Sequence, residues 1–168
     1  MTRVLIAYGS KRGSTAEIAG WIGDTLRGQG IEADVADAGS VRDVTPYDAV
    51  VLGGALYAGR WHKDARRFAR RHAAALSGRP VWLFSSGPLD RSAQEAGIPP
   101  VPQVARALDA LGARGHQTFG GRLARDTEGF IASKIAERSG GDYRDPDEVR
   151  AWAQDIAAHV AATNRTEA

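Results

Sequence analysis

The chain reads as an α/β protein: a doubly wound, five-stranded parallel sheet with helices on both faces. Three observations lead there. Apolar, β-rich runs alternate with segments of helical period along the whole length. Val50-Val51-Leu52 is apolar without alternation, as a strand covered on both faces requires. The first strand pattern runs straight into a glycine- and hydroxyl-rich turn and then a helix, the opening of a β-α-β unit.

Val4–Tyr8 is the first strand, and Ser14–Arg27 the first helix, with Gly28 and Gly30 as its stop signals. Glu32–Asp37 is the second strand. The stretch Ala38–Asp48 is short and contains Pro46, which leaves room only for a reduced crossover helix. Ala49–Gly53 is the third strand. In the helix Lys63–Leu76, the cations Lys63, Arg66, Arg67, Arg70 and Arg71 oppose an apolar face of Ala65, Phe68, Ala69, His72 and Leu76. His72 reads as a core histidine. Val81–Ser85, Val101–Leu111 and His116–Gly120 supply strand, helix and strand. Pro146–Ala162 is the last helix; Asp145 is its N-cap, and Asp147 and Glu148 suit its dipole. A weaker helical pattern over Thr127–Ser139 falls in an expected insertion at about 123–145. No repeat or linker divides the chain, so residues 1–168 form one domain.

Hydrophobic residues are 43% and charged residues 25% of the 168, ordinary values for a globular protein, and the formal charge is +2. There is no cysteine, which removes disulfides, thiolate metal sites and cysteine nucleophiles together. No signal-like stretch is present, and no run approaches the roughly 18 apolar residues of a membrane span. These features predict a cytoplasmic protein. No spacing of His, Asp or Glu suggests a metal site.

The first turn, Gly9-Ser10-Lys11-Arg12-Gly13-Ser14-Thr15, is an anion site by construction, because a helix N-terminus supplies unsatisfied donors and partial positive charge. A P-loop needs a lysine where Ser14 stands. A dinucleotide fingerprint needs glycines that Lys11 and Ser14 replace. What remains is a turn that holds a terminal phosphate monoester with the hydroxyls and amides of Ser10, Gly13, Ser14 and Thr15. Lys11 and Arg12 either neutralise that phosphate or face solvent.

The turn resembles that of the flavodoxin family in Tyr8, Ser10, Gly13, Thr15, Ala19 and Ile22, with Ala7 where a larger apolar residue is usual. The resemblance implies a flavodoxin-like fold and an FMN cofactor. Gly53-Gly54-Ala55-Leu56-Tyr57-Ala58-Gly59-Arg60-Trp61-His62 lies at the carboxyl end of the sheet, where open α/β folds bind ligands. Its glycines permit close approach of a flat ring, and Tyr57 and Trp61 offer stacking faces. Trp61 has the second reading of packing beneath the next helix. His62 either relays protons or makes a loop hydrogen bond. Ser85-Ser86-Gly87 can present backbone groups to a heterocycle edge.

Val50-Val51-Leu52-Gly53, Gly59, Trp61, His62, Phe68 and Arg71-His72 are similar to the menaquinone-dependent protoporphyrinogen oxidase branch of flavodoxin-like proteins, which has an Arg-Tyr pair where Tyr57-Ala58 stands here. That branch implies electron transfer to a quinone, a reduced porphyrin substrate and peripheral contact at the inner membrane face. The resemblance places the cofactor on Ser10 to Thr15, Leu56 to Gly59, Trp61, and Ser85 to Gly87. Two alternatives remain: a flavodoxin-type electron carrier serving a redox partner protein, and a nicotinamide-dependent FMN reductase, echoed in Gly9-Ser10-Lys11-Arg12. A phospho-receiver domain is excluded, because Leu52 and Gly53 stand where it needs an aspartate. Nucleic acid is not expected as a partner.

Overall fold

The computed structural model describes residues 2–10, 13–57, 60–87, 101–120, 122–123, 141–142 and 145–167. Its strands are β1 (Arg3–Gly9), β2 (Glu32–Asp37), β3 (Ala49–Tyr57), β4 (Arg60–Trp61), β5 (Val81–Ser86), β6 (Gly115–Phe119), β7 (Arg122–Leu123) and β8 (Gly141–Asp142). Its helices are α1 (Ser14–Gly28), α2 (Lys63–His72), α3 (Pro102–Leu111) and α4 (Pro146–Glu167). The main sheet runs in the order β2-β1-β3-β5-β6, all parallel, and β4 pairs antiparallel with β3.

Strand alternation sorts the core into two layers. Val4, Ile6, Val51 and Phe84 face α1 and α4, meeting Ile18, Ile22, Leu26, Val149, Ala153 and Ile156. Leu5, Ala7, Val50, Leu52 and Leu83 face α2 and α3, meeting Ala65, Phe68, Ala69, Val104 and Leu111. Consecutive residues of one strand thus serve opposite layers, which is why Val50-Val51-Leu52 shows no polar alternation.

Four features refine the sequence reading. The third strand continues past Gly53 to Tyr57 and turns back through β4, so its expected loop is a β-hairpin. The second crossover reduces to a 3-10 turn, Ala38–Ser40, capped where the Gly39 amide donates to Asp37 Oδ1 at 2.7 Å. Arg79 Nη1 donates to the carbonyls of Val44, Thr45 and Tyr47, so that connection is held without a helix. Helix α2 ends at His72 rather than Leu76; hydrogen-bonded turns follow, and Gly78 at φ 82° leads into Pro80. The expected Thr127–Ser139 helix lies outside the described residues. Arg122↔Asp142 and Leu123↔Gly141 pair antiparallel on either side of it.

Candidate functional site

Strands β1, β3 and β5 are neighbours in register, Gly9 opposite Gly54 and Gly54 opposite Ser85, and β3 projects beyond the ends of the other two to Tyr57. Strand order reverses direction between β1 and β3, the position where open α/β sheets form a crevice. The connections leaving β1, β3 and β5 therefore open at one edge of the sheet.

The described residues of the β1–α1 turn leave donors open at the start of α1. Gly13 is the α1 N-cap at φ 83°, a left-handed conformation that suits glycine, and no side chain caps the helix. Ser10 Oγ accepts from the Gly13 amide at 3.2 Å, inside the turn itself. The first-turn amides of α1 lack intrahelical acceptors by geometry. Beside them, Thr15 is fully buried, and its Oγ1 has no hydrogen-bond partner among the described residues. An orphaned buried hydroxyl next to uncapped amides fits the phosphate of a mononucleotide. Lys11 and Arg12 lie outside the described residues.

The other two connections meet. A Cβ on Gly87, at φ 114°, would sit 3.4 Å from Leu56 Cβ. The Gly87 amide donates to Phe119 O at 2.9 Å, which fixes where that loop leaves the sheet. Ser85 and Ser86 are buried. Ser85 Oγ lies 3.2 Å from His116 Nε2, and burial pushes the His116 pKa down to about 4, so the ring is neutral at pH 7. Leu56 and the Tyr57 backbone belong to β3, whereas Ala58 and Gly59 lie outside the described residues.

Two expectations are corrected. Trp61 is 1% exposed and packed in the α2–α3 layer, so its ring has no free face for stacking. Gly53 and Gly54 do admit flat rings closely, but the rings are the protein's own: a Cβ on Gly53 would meet Phe84 at 1.9 Å, and one on Gly54 would meet Trp61 Nε1 at 2.5 Å. Both rings occupy space that only glycine leaves. His62 takes the hydrogen-bonding role. It is the buried N-cap of α2, and its Nδ1 accepts from the Asp64 amide at 3.1 Å, which leaves the proton of the neutral ring on Nε2. His72 is a buried core residue against Phe68, with ring centroids 4.5 Å apart.

Two positioning residues escape the sequence reading. Gln103 Oε1 accepts from the Trp61 amide at 2.8 Å, and His116 holds Ser85. Neither carries a local motif, since each acts on a residue far away along the chain. Among the described residues no group of side chains could hold a metal ion, and no helix is long and apolar enough to cross a membrane.

The sequence profile of the Flavodoxin domain family matches residues 5–139. Protoporphyrinogen IX dehydrogenase (quinone) from Escherichia coli K12 is 32% identical over 85 residues, which cover 49% of this chain and 47% of that protein. The chain thus matches about half the length of its curated relative. Among solved structures, a flavodoxin from the domain Archaea superposes with a TM-score of 0.65 at 15% identity, covering 95% of this chain and 99% of that one. Oxidised flavodoxin 2 from Bacillus cereus gives 0.57 at 22% identity, covering 96% and 99%. At these identities the structural likeness establishes the fold.

Proposed function

The chain belongs to the flavodoxin domain family, and on that premise we propose that it is an FMN-dependent oxidoreductase that takes electrons from a reduced, porphyrinogen-like substrate and delivers them to a quinone. The observation that carries the cofactor assignment is Thr15: a buried hydroxyl without a partner among the described residues, beside the uncapped N-terminus of α1. Thr15 Oγ1, Ser10 and the first-turn amides of α1 hold the phosphate, and Lys11 and Arg12 neutralise it. Leu56, Tyr57, Ala58 and Gly59 flank the ring system on one side. Ser85, Ser86 and Gly87 meet its polar edge, with His116 fixing the Ser85 hydroxyl. Trp61 acts from beneath, by supporting the hairpin. The bound flavin supplies the electron chemistry, while the protein sets its access and environment.

The partial match to a quinone-linked dehydrogenase supports the substrate and acceptor classes. A quinone acceptor in turn favours a cytoplasmic protein that touches the inner membrane face peripherally. The same reading treats residues 1–168 as a single domain with an insertion at about 123–145.

The purified protein is expected to show a flavin spectrum, as isolated or after incubation with FMN, and to release FMN on denaturation. A preparation that stays colourless in excess FMN defeats the proposal. Porphyrin fluorescence that appears with protoporphyrinogen and a menaquinone analogue identifies the enzyme. A flavin-loaded protein that produces none is a carrier, and rapid bleaching by a reduced nicotinamide identifies a reductase.

A further inference from the structure

A groove of about 280 Å³ runs between α2 and α3, apart from the sheet-edge crevice. Arg66, Arg70, Arg106 and Gln103 line it, Ala69, Ala107 and Ala110 leave it open, and no carboxylate lines it among the described residues. Several other arginines are engaged. Arg3, Arg27 and Arg150 pair with Asp34, Asp24 and Asp147, and Arg79 meets three carbonyls. Arg70 and Arg106 have no ion-pair partner among the described residues.

The groove is also tied to the hairpin. Arg66 Nε donates to Trp61 O at 3.1 Å, and Gln103 Oε1 accepts from the Trp61 amide at 2.8 Å. Both backbone polar groups of Trp61 are thus held by side chains that line the groove, and Trp61 stands opposite Leu56 in the β3–β4 pair.

We propose that this groove binds a small organic ligand with two anionic groups, carboxylate or phosphate, on an apolar body, and that its occupancy is transmitted to the β3–β4 hairpin through Trp61. Guanidinium forks match carboxylate and phosphate oxygens in pairs. The alanines leave an apolar surface for the body of the ligand. A dianion balances the Arg70 and Arg106 cations that share the groove, and a shift of Arg66 or Gln103 is passed to the Trp61 backbone through their hydrogen bonds.

Isophthalate, a rigid aromatic dicarboxylate, is the probe. It is titrated calorimetrically into the FMN-saturated full chain, with the Trp61 backbone amide followed by nitrogen-15 NMR. The double variant R70Q/R106Q is expected to weaken binding by about tenfold or more. R71Q, outside the groove, is expected to leave it unchanged, and the Trp61 resonance is expected to shift at saturation. Equal affinity in wild type and double variant, or an unmoved Trp61 amide, overturns the proposal. Arg70 and Arg106 are exposed, and circular dichroism verifies that the variants fold. Competition separates the two sources of such a ligand. Displacement by protoporphyrin IX assigns the groove to the substrate, whereas displacement by pyrophosphate alone assigns it to a phosphate-bearing effector. If the chain takes up no FMN, the same titration on the chain as purified still reads the groove, so the two proposals fail separately.

Discussion

Thr15 Oγ1 is a buried polar atom without a partner among the described residues, a state that costs about 1–3 kcal/mol. Valine has nearly the same shape and no hydroxyl. T15V is therefore expected to leave urea stability of the flavin-free protein unchanged or higher, while FMN binds about 10- to 100-fold more weakly. Flavin fluorescence quenching measures the second effect, and undiminished affinity removes Thr15 from the site. Gly53 makes the opposite case. Its missing Cβ is space filled by the Phe84 ring, which itself packs against Phe119 and Trp152. G53A is expected to cost about 1–3 kcal/mol or more through overpacking, read as a lower urea midpoint with an unchanged slope.

The elements were largely legible because local chemistry and tertiary demand agree. Asp145 shows it: Oδ1 accepts from the Asp147 and Glu148 amides at 3.0 and 3.3 Å, as the Asp-Pro-Asp-Glu run predicts. D145A is expected to lower stability by about 1 kcal/mol, because α4 then loses its cap while its packing against α1 stays intact. A midpoint equal to wild type excludes that cap as a stabilising contact. What sequence does not reveal is which ring a glycine accommodates. The Gly53-Gly54 pair advertises close approach, yet only the assembled sheet shows that Phe84 and Trp61 arrive first. Likewise β3 runs on to Tyr57 because β4 gives its end a partner. Gln103 meets Trp61 from another helix, beyond the reach of any local pattern. The donors of the β1–α1 turn are contiguous in sequence, so a local pattern exposes them, whereas the ends of β3 and β5 come together only in the assembled sheet.

The whole molecule carries an acid-sensitive element in two imidazoles, His72 buried and His116 half-buried. Burial lowers the pKa of His116 from 6.5 to about 4, and burial is also the main cause of the lowered pKa of His72. Between those values the unfolded chain binds protons that the folded one refuses. The His116 contribution is therefore complete above pH 6.5 and is lost as pH falls toward 4, and His72 adds a loss of the same sign below pH 6.5. Glu148, raised by burial, works in the opposite direction as pH climbs above its ordinary value of 4.5. Urea midpoints are expected to fall from pH 7 to pH 4.5, and H116Q is expected to flatten part of that slope. An identical slope in the variant excludes His116 as a source. At this scale the ribbon of β7 and β8 has a consequence of its own. The chain leaves the ribbon after Leu123 and re-enters it beside the same residue at Gly141. A stretch grafted between them inherits a ready-made closure, its two ends already held side by side.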